Sequence, residues 1–205
     1  MSDGTRAMSA VITPLPAAPA TWRLPHRGRV GMASLIMAES AIFTIFVVAY
    51  LYYVGKSLTG PTPREVLETP VLYTICLLSS SLTVHFAGRS LERGRRAAFL
   101  ASWFLTIALG GLFLFGTGQE WHRLIYEHGL TISTNLFGTT YYSLVGLHAF
   151  HVTVGLVMLS IVFVLAIAGR VGLRHSAPIG VLSMYWHFVD AVWIVVFSVV
   201  YVLGR

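Results

Sequence analysis

Two pairs of ionisable side chains stand out in otherwise apolar stretches of this sequence. His148 and His151 are three residues apart in "LHAFH", and His187 and Asp190 are three apart in "WHFVD". This spacing places both members of a pair on one face of a helix. Three histidines and a carboxylate could bind a metal ion, and two histidines could bind a haem. The same residue types also form hydrogen bonds between helices in lipid, which is the preferred interpretation here.

A single carboxyl group, that of Glu39, lies in the apolar stretch "LIMAESAIFTIF". On insertion scales a charged side chain at the centre of a membrane helix costs roughly 2.5–3.5 kcal/mol, so such a residue faces protein, water or a partner. Two interpretations therefore stay open for Glu39. It either handles protons or contacts lipid and partners, or it makes a buried structural hydrogen bond.

Composition assigns these residues to a membrane protein. Of the 205 residues, 56% are apolar and 11% are charged, whereas about 25% are charged in an average soluble domain. The net charge is +6, but the arginines lie in short connectors between apolar stretches. We therefore interpret the charge as an orientation signal and expect no nucleic-acid partner. The single cysteine, Cys76, cannot form an internal disulfide.

Five apolar stretches are long enough to cross a bilayer as helices, for which about 20 residues suffice. The sequence thus predicts an all-α fold, a bundle of five transmembrane helices over residues 30–205, preceded by a disordered cytoplasmic tail over 1–29. A cleaved signal peptide is not expected, because this tail has no sustained apolar run. The predicted helices span 31–54, 70–89, 98–118, 138–168 and 180–203.

The residues between the third and fourth spans, 119–135, are predicted to be the longest internal connector. Small residues cluster in the second and third spans and indicate close helix packing in lipid rather than function. They are Ser79, Ser80, Ser81, Thr83, Gly110, Gly111, Gly116 and Gly118.

The distribution of basic residues predicts the orientation. If the N-terminus is cytoplasmic, ten of the 14 Lys and Arg residues lie inside, and such an excess favours that arrangement. With five spans, the C-terminus is then outside. The ten are Arg6, Arg23, Arg27, Arg29, Arg89, Arg93, Arg95, Arg96, Arg170 and Arg174.

Several stretches together resemble a known family, subunit III of the haem-copper respiratory oxidases, in its short five-helix bacterial form. The resemblance runs from about Gly28 to the end of the chain. It is carried by "GMASLIMAESAIFTIFVVAYLY", "TPVLYTICLLSSSLTVHFAGRSLERGRR", "GLHAFHVTVGL" and "WHFVDAVWIVVFSVVYVLG". The long form of the family has two further N-terminal helices, and residues 1–29 are not expected to supply them.

The resemblance implies an accessory subunit without a catalytic centre. In that family subunit III flanks subunit I, binds phospholipid between its helices, supports proton uptake and protects the active site during oxygen reduction. Haem and copper lie in the partner subunits, so the resemblance argues against a metal or cofactor in this chain. The expected partners are subunit I, subunit II, a small subunit IV and membrane lipid, in the plasma (inner) membrane of a bacterium.

Carried over by motif, Glu39 matches the family's intramembrane carboxyl. His148, His151, His187 and Asp190 match its polar residues in the last two helices, where we expect an interhelical polar network. The resemblance implies a proton-pumping oxidase of the cytochrome c oxidase type, which takes its electrons from cytochrome c. The main alternative is the quinol-oxidase branch of the same family, in which quinol is the electron donor. More remote alternatives are a self-contained proton channel and a haem-binding membrane anchor.

Overall fold

The computed structural model describes residues 27–57 and 60–204, apart from the side chain at position 64. Most of the predicted tail lies outside these residues. Six α-helices, numbered in chain order, make up most of the described chain. They are α1 (Arg27–Tyr53), α2 (Pro63–Val66), α3 (Val71–Glu92), α4 (Arg96–Tyr126), α5 (Leu136–Ile167) and α6 (Ser176–Phe197).

The predicted fold class is confirmed. Five helices are long and apolar enough to cross a membrane: α1, α3, α4, α5, and α6 with its short flanking turns. The described residues contain no strand. Helix α1 begins at Arg27, so 27–29, predicted as the end of the tail, are already helical.

Helix α4 differs most from its predicted length, because it continues to Tyr126 instead of ending near position 118. Two of the polar side chains that suggested a connector form hydrogen bonds with other helices. Gln119 accepts a hydrogen bond from Tyr73, and Glu120 accepts from Tyr201. With their polar groups satisfied, these residues extend the helix by two turns, and the true connector is 127–135.

Helices α3 and α5 end in matching glycine caps at the same end of the bundle. Gly94 and Gly169 have φ of 68° and 75°, a left-handed conformation that glycine adopts without strain. The next residue returns a hydrogen bond to the helix in both cases, from Arg95 N–H to Ser90 O and from Arg170 N–H to Leu165 O. Each helix therefore stops sharply, and an arginine follows.

Helices α3, α4, α5 and α6 form a four-helix arrangement in which sequence neighbours pack together and α6 returns to α3. Helix α1 packs outside it, against α5 and α6. Only Phe43 and Tyr50 of α1 are buried, whereas α5 and α6 bury residues along their full length. The interior of the four-helix arrangement thus forms the core, and α1 is attached to its surface.

Candidate functional site: two polar seams in the membrane

Glu39 and His151 meet between α1 and α5, each near the middle of its helix. The Glu39 Oε2 atom lies 3.1 Å from His151 Nε2. The side chain of His151 is 9% exposed and that of Glu39 is 22% exposed, so the pair is reached from the outer surface of α1. The sequence placed both residues within membrane helices, and the structure brings them into direct contact.

Hydrogen-bond chemistry fixes which ring nitrogen of His151 can exchange a proton. His151 Nδ1 lies 2.8 Å from Leu147 O, and a carbonyl oxygen only accepts, so Nδ1 carries a hydrogen. The contact from Nε2 to Glu39 then holds one shared proton. Either the carboxylic acid donates to a neutral imidazole, or an imidazolium donates to a carboxylate. The pair can therefore hold one proton within the membrane.

His151 has contacts with neighbours on two further helices, one to its ring and one to its backbone. Phe43 of α1 packs against it with ring centroids 5.1 Å apart. On α6, the Tyr185 hydroxyl donates to the backbone oxygen of His151 at 3.1 Å. The Phe43 contact and the bond of Nδ1 to Leu147 O orient the imidazole toward Glu39, and the Tyr185 bond ties the backbone of His151 to α6.

Asp190 and His187 form a second polar group, with Ser81 of α3 rather than with the other histidines. The Ser81 hydroxyl donates to Asp190 Oδ2, and its oxygen lies 3.0 Å from His187 Nδ1. Since the serine hydrogen is used on Asp190, the serine oxygen can accept from Nδ1–H. In a catalytic triad the histidine stands between serine and carboxylate. Here the serine stands in the middle, so the geometry does not activate a nucleophile.

The contact of α3 with α6 contains two more hydrogen bonds from tryptophans. Trp186 Nε1 donates to Ser80 Oγ at 2.8 Å, and Trp193 Nε1 donates to Thr74 Oγ1 at 3.2 Å. Together with Ser81 these contacts follow one face of α6. We call this row the α3/α6 seam, defined by Thr74, Ser80, Ser81, Trp186, His187, Asp190 and Trp193.

His148 lies apart from both groups. It is completely buried, and neither ring nitrogen has a hydrogen-bond partner among the described residues. Its ring stacks on Trp193 at a centroid distance of 4.9 Å and meets the edge of Phe113 at 5.7 Å. In this position the imidazole is an aromatic packing element between α4, α5 and α6.

The five predicted residues thus do not form one continuous network. Glu39 with His151 joins α1 to α5, Asp190 with His187 joins α6 to α3, and His148 belongs to neither. Sequence spacing placed His148 with His151 on one helix face, but the two rings face different helices. In the described part of the chain, no three His, Cys, Asp or Glu side chains are grouped closely enough to hold a metal ion.

A polar cluster that the sequence did not predict lies at the end of the bundle where α4 and α6 finish. Both oxygens of Glu120 accept from the Tyr201 hydroxyl, at 3.0 and 2.8 Å. Tyr201 also approaches the Tyr141 hydroxyl at 3.5 Å, and Arg123 pairs with Glu68 nearby. A sequence pattern could have indicated this cluster, because Glu120 and Arg123 are three residues apart and share one face of a helix. The prediction that 119–135 form a connector concealed that pattern.

These features define a class of protein: a multi-pass helical membrane protein whose ionisable groups link helices to one another. Comparison with known proteins places it more narrowly. The model of the family described as cytochrome c oxidase subunit III matches residues 25–205, and the chain belongs to that family.

Similar proteins come from distant organisms. A cytochrome c oxidase subunit 3 of Synechocystis sp. is 39% identical over 178 residues, which cover 84% of this chain and 74% of that protein. The one from Alkalihalophilus pseudofirmus is 30% identical over 193 residues, 93% of this chain and 94% of that protein. The one from Hippopotamus amphibius is 32% identical over 188 residues, 86% and 69% of the two chains.

Proposed function

We propose that this chain is the accessory, non-redox subunit III of a proton-pumping terminal oxidase that takes electrons from cytochrome c. It sits beside subunit I in a bacterial inner membrane, with subunit II and a small subunit IV in the same complex. Haem and copper belong to the partner subunits. The observation that carries this proposal is the family match over residues 25–205, which takes in all five membrane helices.

The geometry of the polar residues favours a structural role for them rather than a catalytic one. The Asp190 carboxyl and the His187 ring contact Ser81, and His148 is enclosed by aromatic rings. Groups held in this way fasten helices to each other, in a medium where packing and hydrogen bonds replace the hydrophobic driving force. The chain then contributes a stable surface for subunit I, while oxygen chemistry takes place elsewhere in the complex.

Lipid binding is supported by a groove between α1 and α6. It encloses about 320 Å³ and has an almost entirely apolar lining that includes Phe43, Val47, Phe188 and Val195. The groove is open to the surrounding membrane and has the apolar character of an acyl chain. A lipid bound there would stiffen the attachment of α1, which buries few residues of its own.

Proton handling is supported by the pair of Glu39 and His151. The pair holds one shared proton, and part of the Glu39 side chain is exposed on the outer side of α1. A proton held there is available to a neighbouring subunit. This position agrees with a role in supporting proton uptake by subunit I.

Purification of the membrane complex in mild detergent through a tag on this chain tests the proposal. We expect haem bands in the optical spectrum, and mass spectrometry should identify subunits I and II. A subunit II that carries a dicopper centre indicates cytochrome c as the donor, whereas its absence from a haem-bearing complex indicates quinol. A chain that purifies without haem-bearing partners, or that alone conducts protons across liposomes, would contradict the accessory role.

A further inference from the structure

Five aromatic side chains of α4, α5, α6 and the turn that follows α6 form a continuous row. Trp121 contacts Tyr142 with ring centroids 5.5 Å apart, and Tyr142 contacts Tyr141 at 5.2 Å. The hydroxyl oxygens of Tyr141 and Tyr201 lie 3.5 Å apart, and the ring centroids of Tyr201 and Trp193 lie 6.3 Å apart. We call this set the aromatic row, defined by Trp121, Tyr142, Tyr141, Tyr201 and Trp193.

The aromatic row leads from the core of the bundle to its surface. Trp193, Tyr201 and Tyr141 are at most 3% exposed, whereas Tyr142 and Trp121 are half-buried. Tryptophan and tyrosine are among the side chains that give up one electron most readily, and rings in contact pass an electron between them. An oxidant at the half-buried end can therefore withdraw an electron from a buried ring.

A change of helix type keeps Tyr201 in line with Trp193. Residues eight apart in a regular α-helix differ by about 80° around the helix axis, which would turn Tyr201 away from Trp193. Residues Ser198–Leu203 instead form a π-helical turn, which holds more residues per turn and reduces this offset. Such turns occur frequently at functional sites.

Tyr201 has a hydrogen-bond partner that suits oxidation. Its hydroxyl donates to both carboxyl oxygens of Glu120, at 3.0 and 2.8 Å, which is within the reach of a general base. Removal of an electron makes the phenol strongly acidic, so tyrosine is oxidised readily only where a base accepts its proton. The Tyr142 hydroxyl donates to the backbone oxygen of Leu130, which is not such a base. An electron vacancy in the row therefore settles at Tyr201 rather than at Tyr142.

Glu120 is also in contact with a space that can hold water. A cavity of about 300 Å³ borders this residue and is lined by Glu68, Gln119 and Arg123 as well. A polar cavity of this size admits water. Proton exchange with that water lets the Glu120 carboxyl be ionised before it accepts the proton of Tyr201.

We propose that Tyr201 is a redox-active tyrosine, which gives one electron to a strong one-electron oxidant while Glu120 takes the phenol proton. Tryptophan and tyrosine are common at membrane boundaries, and a buried tyrosine usually finds a hydrogen-bond partner. Neither tendency accounts for a phenol that shares its proton with both oxygens of one carboxyl within a row of oxidisable rings.

The proposed step balances in electrons and protons. The O–H bond of Tyr201 breaks, one electron passes along the aromatic row to the oxidant, and the proton forms an O–H bond on Glu120. The products are a neutral tyrosyl radical, a carboxylic acid and the oxidant reduced by one electron. A one-electron donor at the Trp121 end then reduces the radical, and the proton returns from Glu120 to Tyr201.

The purpose of this step rests on the proposed function, because oxygen reduction in a neighbouring subunit generates one-electron oxidants. An oxidant that escapes the normal reaction takes its electron from the aromatic row instead of from backbone or lipid. The row lies outside the electron path of the oxidase, in which this chain has no part. Tyr201 therefore protects the complex by being oxidised and then repaired.

Photo-oxidation of the purified chain in detergent tests the pair of Tyr201 and Glu120. Light-excited ruthenium(II) tris-bipyridine with a cobalt(III) acceptor supplies a ruthenium(III) oxidant, and electron paramagnetic resonance of frozen samples detects tyrosyl radicals. We expect a long-lived tyrosyl signal in the unaltered chain and its loss in Tyr201→Phe. Glu120→Gln should slow formation of the signal by about a hundredfold, since a positioned base contributes at least that much.

Tyr126→Phe is the matched control, because Tyr126 is 75% exposed and lies outside the aromatic row; it should keep the long-lived signal. An equal long-lived signal in Tyr201→Phe, or an unchanged rate of formation in Glu120→Gln, would overturn the proposal. If Tyr201→Phe does not fold, Glu120→Gln and a comparison of ordinary with heavy water decide the question. Proton transfer coupled to oxidation is slower in heavy water, so equal rates in the two solvents would also overturn it.

The intact complex, frozen during oxygen reduction, tests the protective role. We expect the same tyrosyl signal there and its loss in Tyr201→Phe, and absence of the signal from the unaltered complex would overturn that role. The optical spectrum of the same preparation reports separately on the oxidase assignment. Loss of haem-bearing partners would refute that assignment and leave the photo-oxidation of the purified chain interpretable.

Discussion

Replacing Gly110 with alanine should destabilise the helix bundle, because a tryptophan ring occupies the space beside it. Trp186 of α6 is completely buried. A β-carbon at Gly110 of α4 would lie 2.9 Å from Cη2 and Cζ2 of this ring, and 2.9 Å from a methyl carbon of Leu156. Gly155 of α5 approaches the same ring from another helix, with a β-carbon distance of 2.7 Å. The ring therefore has no direction in which to move freely.

The magnitude follows from this geometry. Carbon atoms pack comfortably at about 3.5–4.0 Å, so the ring and the new methyl group must separate by roughly 1 Å. Such overpacking of a filled interior costs typically 1–3 kcal/mol. The shift also strains the hydrogen bond from Trp186 Nε1 to Ser80 Oγ, now 2.8 Å, and it disturbs the α3/α6 seam beside Ser81.

Gly111→Ala is the matched control, because the adjacent glycine faces open space. Alanine is favoured over glycine inside a helix by roughly 0.5–1 kcal/mol, and both variants receive this gain. The difference between Gly110→Ala and Gly111→Ala thus isolates the overpacking, about 1–3 kcal/mol. Unfolding of the purified chain by SDS in mixed micelles, followed by circular dichroism, measures it. Equal stability of the two variants would refute the packing argument.

Substitutions at three further positions test the polar groups. Glu39→Ala should lower the unfolding free energy by about 1–2 kcal/mol and hasten the decay of oxidase activity during turnover. Glu39→Gln should lower it less, because the amide keeps a hydrogen-bond donor for His151. Equal effects of the two substitutions would contradict this contact. Tyr201→Phe should cost about 1–3 kcal/mol, because both Glu120 oxygens lose their donor, and an unchanged SDS midpoint would contradict the contact. His148→Leu should be neutral or stabilising, because it removes two buried polar atoms without partners; a loss above about 1 kcal/mol in the same assay would show that the ring has a polar partner.

The number and order of the membrane helices follow from the sequence because each apolar stretch must satisfy its own backbone in lipid. The end of α4 was predicted wrongly for a related reason. A prediction from composition ends the membrane helix before Gln119 and Glu120, because both residues are polar. Such a prediction does not include the hydrogen bonds from Tyr73 and Tyr201, which lie far away in the chain. These bonds satisfy the two polar side chains and allow the helix to continue.

The contacts between the helices could not be predicted from the sequence either. Gly110 and Gly111 are equivalent in composition, and both were predicted to serve helix packing. Neighbouring residues differ by about 100° around a helix, so only one of the two faces Trp186. Likewise Ser81 was placed among the packing residues, although it is the direct partner of Asp190. Rotation of each helix about its own axis decides these roles, and that rotation depends on the other helices.

Helix α1 is attached by few buried side chains and by the polar contact of Glu39 with His151, unlike α3 and α6. Between α3 and α6 the polar bonds of the α3/α6 seam accompany extensive burial, so the loss of one bond leaves the others in place. Helix α1 buries only Phe43 and Tyr50 and joins α5 through Glu39 and His151. Loss of the Glu39–His151 contact therefore leaves α1 attached by the packing of its apolar side chains alone.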